Sequence, residues 1–122
     1  MMGKRLALAI AANLAAAPPA ACWAHAFLDH AMPPVGSSVG AAPAEVRLYF
    51  SEAIEPAFSA VKLAGADGQP IATPRSEVAA GDPTQLILKL PPLRPGKYRV
   101  RWHVVSVDTH RTEGDFTFEI RP

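Results

Sequence analysis

From residue 45 to residue 120 the chain alternates apolar and polar side chains in short runs, with proline or glycine punctuation about every ten positions. A period of two is the signature of a strand with one buried face. In "EVRLYF", Val46, Leu48 and Phe50 oppose Glu45 and Arg47; in "AVKLAG", Val61 and Leu63 flank Lys62 ahead of the turn pair Asp67-Gly68. "QLILKL" sets Leu86, Leu88 and Leu90 inward, and "PPLRPG" then breaks the ladder and turns the chain. The longest run, "KYRVRWHVV", puts Tyr98, Val100, Trp102 and Val104 on one face and Lys97, Arg99, Arg101 and His103 on the other. "DFTFEI" closes the domain with Phe116, Phe118 and Ile120 inward. Nothing longer has helical periodicity. The pattern predicts an all-β fold, a Greek-key β-barrel or sandwich of about seven strands.

Residues 1–24 read differently. Lys4 and Arg5 precede the apolar run "LALAIAANLAAA", which is too short to span a bilayer, and Pro18 and Pro19 end any helix there. Cys22 and Ala24 supply the small residues that signal peptidase takes before its cut, so 1–24 is expected to be a cleaved secretory signal peptide. Lipidation at Cys22 fits poorly, because Pro19 stands where a lipoprotein box has an aliphatic residue. Residues 25–122 remain as a single β domain that begins with His25. Ten of the twelve basic residues then face all eleven acidic ones, a net charge near −1, which excludes a basic nucleic-acid surface. The only cysteine leaves with the leader, so no disulfide is expected even in an oxidising compartment. The mature chain is expected to be periplasmic, without membrane insertion.

The chemistry falls to four histidines, His25, His30, His103 and His110. Asp108 and His110 stand two apart at the end of the long strand, where an extended backbone projects them to one side. A terminal histidine offers what an internal one does not, an amine and a ring Nδ1 that chelate one ion together. The amine's ordinary pKa of about 7.7–8.0 makes its deprotonation cheap for a strong Lewis acid. Three nitrogens and one oxygen, with no sulfur, suit tetragonal Cu(II), with nickel next and zinc third. Each residue also has a plainer reading. Asp-x-His is commonly a capped turn; His30, in "LDHAMPP", reads as an exposed loop residue; His103 shares the parity of the solvated arginines; Trp102 is core; Glu52 and Glu55 read as charges on a turn.

Three stretches, "HAFLDHAMPPVGSSV", "PAEVRLYFSEAIEPAFSAVKL" and "LRPGKYRVRWHVVSVDTHRTEGDFTFEI", resemble in order and spacing the CopC family of periplasmic copper-resistance proteins. The resemblance covers the chain from His25 to about Ile120. It implies a cupredoxin-like Greek-key barrel that binds Cu(II) through His25, Asp108 and His110, with Glu52 of "FSE" as an outer or weak ligand. Some members also carry a methionine-rich loop for Cu(I); here the corresponding "AGADGQPIATPRSEVAAGDP" has no Met, His or Cys, so the chain resembles a Cu(II)-only type. His30 with Met32 would be a poor substitute for that loop.

The function expected is that of a non-enzymatic copper carrier. It sequesters the ion or delivers it to an inner-membrane copper transporter or another copper-resistance protein. Two alternatives stand beside it: a copper-dependent redox enzyme that uses the terminal histidine chelate, and a metal-free Ig-like assembly module. Phosphate-cradling loops and a nucleophilic triad have no support.

Overall fold

The computed structural model describes residues 26–122; the leader segment and His25 lie outside them. Nine strands form two sheets: β1 (Leu28–Met32), β2 (Ser38–Val39), β3 (Glu45–Phe50), β4 (Ala60–Gly65), β5 (Pro70–Ile71), β6 (Glu77–Ala79), β7 (Asp82–Lys89), β8 (Gly96–Val105) and β9 (Arg111–Ile120). One sheet has the order β1-β3-β7-β6 and the other β2-β9-β8-β4-β5. Every pairing is antiparallel except β2 with β9. The fold is the predicted β-sandwich. The strands beyond the expected seven are mostly very short: β2 and β5 have two residues each and form only at the sheet edges.

The inner faces meet in one core. Val46, Leu48 and Phe50 of β3 and Leu86 and Leu88 of β7 pack against Val61 and Leu63 of β4, the β8 set from Tyr98 to Val104, and Phe116, Phe118 and Ile120 of β9. Each large apolar side chain so buried contributes roughly 1.5–3 kcal/mol. Period-two alternation is complete along β8, whose buried and exposed residues are those read from the sequence. Ile87 departs from it. It is buried although its neighbours Leu86 and Leu88 already fill the core face, and Leu90 is only half-buried.

Two features carry the structure toward the site. Trp102 stands opposite Gly114 across β8 and β9, and packs edge-on against Phe50 with ring centroids 5.2 Å apart. At the far end of this ladder, the chain from Ser51 to Glu55 crosses against the last residues of β8. Glu55 N–H donates to the Val105 carbonyl (2.8 Å), Val107 N–H donates to the Ala53 carbonyl (3.1 Å), and Ile54 bridges to Ser106. Ile54, only 1% exposed, anchors this crossing in the core. The segment that carries Glu52 and the hairpin that carries Asp108 and His110 are thereby fixed side by side.

Candidate metal centre

Asp108 and His110 lie on the hairpin that joins β8 to β9, and the structure brings them together. Asp108 Oδ1 is 3.2 Å from His110 Nδ1, with both side chains about one-third exposed (39% and 32%). The cause differs from the one expected. Residues 107–109 form a turn, and Thr109 has φ of +73°, in the left-handed region. Convergence therefore comes from chain reversal rather than from the two-residue repeat of a strand. The turn closes through Ser106 N–H to the His110 carbonyl (2.9 Å) and Thr109 N–H to the Ser106 carbonyl (2.8 Å).

Ser106, which the sequence reading did not single out, is buried beneath this turn at 1% exposure. Its hydroxyl makes a short contact with Asp108 Oδ1 and accepts the His110 N–H (3.2 Å). The serine two residues before the aspartate, in "SVDTH", is the signal that would have found it, since short hydroxyl side chains bond to backbone and carboxylates close by in sequence. The Asp108 carboxyl is held below the ordinary carboxylate value, first by the Ser106 hydroxyl and next by the His110 imidazole. At neutral pH it is an anion, the form a metal takes.

The start of the described chain reaches the same end of the sandwich. Thr112 Oγ1 donates to the Ala26 carbonyl (2.7 Å), two residues beyond His110. Phe27 N–H donates to Ser51 Oγ (2.9 Å), and Ser51 N–H returns a bond to the Phe27 carbonyl (2.9 Å). Ala26 is fully buried between these anchors. Glu52, half-buried, follows Ser51 directly. Among the described residues no three His, Cys, Asp or Glu side chains gather at metal-holding distances, so Asp108 and His110 stand as a pair within this part of the chain.

The other two described histidines lie apart from the pair. His103 is exposed on the outer face of β8, as its parity predicted, opposite Glu113. His30 is a strand residue rather than the expected loop residue: it sits in β1, pairs with Tyr49 of β3, and stacks on that ring at 4.1 Å and 9°. The partner strand supplies the pairing that its own neighbours in sequence do not encode. Its Nδ1 is 2.8 Å from the Asp29 carboxylate.

Comparison with known proteins bears on the family and the fold. Residues 28–121 match the family described as the CopC domain. Protein YobA of Escherichia coli strain K12 is 42% identical over 118 residues, which span 96% of this chain and 94% of that protein. Copper resistance protein C of Pseudomonas syringae pv. tomato is 39% identical over 104 residues, covering 80% of this chain and 82% of the relative. Among solved structures, CopC from Methylosinus trichosporium OB3b superposes with a TM-score of 0.76 at 34% identity, covering 80% of this chain and 95% of that one. On sequence and on fold, the chain belongs to the CopC domain family of copper-resistance proteins.

Proposed function

We propose that this protein is a periplasmic Cu(II) carrier. It binds its cargo through the amine and imidazole of His25, freed by removal of residues 1–24, together with Asp108 and His110. The observation that carries this reading is the meeting of three segments at one pole. The ionised Asp108 lies beside His110, and Ala26, the direct neighbour of His25, is held by Thr112 two residues farther along. One oxygen and three nitrogens make a hard-to-borderline donor set that favours Cu(II) over softer Cu(I). Glu52, on the adjacent crossing, serves as an outer or weak ligand. The closed hairpin turn holds Asp108 and His110 together before the ion arrives, which lowers the ordering entropy that opposes binding at these two groups. Holding and releasing the ion requires no catalysis. Its recipient is an inner-membrane copper transporter or another copper-resistance protein. Among the described residues no helix is long and apolar enough to cross a membrane.

The test is to isolate the mature form, read its N-terminus by mass spectrometry, and compare its Cu(II) binding with that of a version carrying one extra glycine before His25. The extension moves the amine away from the imidazole and should weaken binding by at least tenfold, the order seen when a group supporting a metal site is lost. Equal affinity in the two forms removes the amine from the site.

A further inference from the structure

We propose that Thr112 and Ser51 are positioning residues for this metal centre. Their hydroxyls clasp the backbone of Ala26 and Phe27 across the end of the sandwich, and so present residue 25 to Asp108 and His110. The inference rests on the ligand reading above and concerns what keeps the terminal histidine in reach.

Thr112 stands where the alternation of β9 calls for an apolar side chain. It shares the inward parity of Gly114, Phe116 and Phe118 and lies opposite the buried Val104 of β8. Valine has nearly the same shape and no hydroxyl to desolvate. Here the hydroxyl is spent on the chain itself, donating to the Ala26 carbonyl at 2.7 Å. Ala26 is 0% exposed, so this carbonyl needs a partner within the protein. The ladder of β1 with β3 does not supply one, because it begins at Leu28.

Ser51 acts from the other sheet. It follows the last residue of β3; its Oγ accepts the Phe27 N–H, and its own N–H donates to the Phe27 carbonyl, both at 2.9 Å. Since β3 and β9 belong to different sheets, residues 26 and 27 bridge the two layers. The Ala26 side chain, packed in the core, is a third anchor. Chain termini fray unless they are tied down. A trans peptide keeps neighbouring Cα atoms about 3.8 Å apart, so a held Ala26 confines residue 25 to the end of the sandwich that carries Asp108 and His110. The clasp thereby lowers the ordering entropy that a free terminus would lose on chelating an ion.

Two measurements on the mature form test the clasp. In the metal-free protein, hydrogen exchange followed by NMR should show the Phe27 amide protected about tenfold or more relative to an unstructured chain, with the protection lost in Ser51→Ala. Exchange at the unstructured rate in the wild type, or protection that survives in Ser51→Ala, overturns the proposal. Thr112→Val should weaken Cu(II) binding about 10- to 100-fold, and Thr112→Ser, which keeps the donor, should restore it. The valine substitution is then repeated in a reference form with an extra glycine before residue 25 and His25→Ala, where residue 25 offers neither amine nor ring. There it should change affinity by no more than about twofold, because nothing remains for the clasp to aim. An equal loss in both backgrounds places the effect at His110, two residues from Thr112, and overturns the proposal, as does a folded Thr112→Val protein with wild-type affinity. Trp102 fluorescence and thermal melts check that the variants are folded. A wild-type protein with the protected Phe27 amide but no Cu(II) binding would refute the copper reading instead, because the protection is measured with no metal present.

Discussion

Thr109 shows how much of the hairpin's shape is imposed on its residues. It is a β-branched residue at φ +73°, a region such residues rarely adopt and one that costs on the order of 1–3 kcal/mol. The backbone bonds on either side of it hold it there. Asparagine tolerates the left-handed region, so Thr109→Asn should raise stability by about 1 kcal/mol. A thermal melt checks the gain, and Cu(II) titration should return an unchanged affinity, because the Thr109 side chain is not among the proposed donors. The same turn marks the limit of reading at this scale. The two-residue spacing of Asp108 and His110 was enough to pair them. Their pairing depends on a reversal, and Ser106 escapes notice because its partners come within reach only once the turn is shut. His25 falls outside the described residues, so its role rests on the chemistry of a terminal histidine and on where Ala26 is held.

At the scale of the element, β8 and β9 are the part most fully written in the sequence. Their alternation reproduces the buried face residue by residue, because both strands have a core on one side and water on the other. The short edge strands were not legible. β2 and β5 exist by virtue of the neighbours they lie against, and two residues are too few to carry a period. Gly114 tests the ladder directly. A Cβ there would stand 2.7 Å from Cζ2 of Trp102, whose other contacts include the edge-on packing with Phe50. The indole is buried and packed on Phe50, so Gly114→Ala should destabilise the domain by about 1–3 kcal/mol, the usual cost of overpacking. The midpoint of denaturant unfolding measures this, with Trp102 fluorescence as the probe. An unchanged midpoint would mean that the strand shifts to make room.

For the whole molecule, cohesion rests on packing and hydrogen bonds, since the sequence has only Cys22 and no second cysteine to pair with it. Its acid limit should reflect carboxylates that fold into hydrogen-bond networks. Asp82, at the start of β7, accepts from Thr84 Oγ1 (2.7 Å), Thr84 N–H (3.0 Å) and Gln85 Nε2 (2.8 Å), while Gln85 Oε1 accepts from Arg47 in the neighbouring β3 (2.7 Å). The Thr84 hydroxyl, then the Thr84 amide and the Gln85 amide, hold its pKa below the ordinary value of 3.8. With the folded pKa depressed, the unfolded chain takes up the proton first as pH falls. The stabilisation is therefore complete above the ordinary aspartate range and is lost as pH drops through the lower folded value. Asp82→Asn should flatten the fall in melting temperature between about pH 4 and pH 2, measured on the metal-free protein. A slope unchanged from wild type would show that other carboxylates set the acid limit.

The anchoring of Ala26 by Thr112 also has a practical side. β9 runs ten residues from Arg111 to Ile120, roughly 30 Å at the ordinary strand rise, and Arg121 bonds to Val39 at its far end. Purification handles, fluorophores or surface tethers therefore have a benign location at the tail, a full strand length from the hairpin tip. The same attachments ahead of residue 26 would crowd the pole where the proposed metal centre lies.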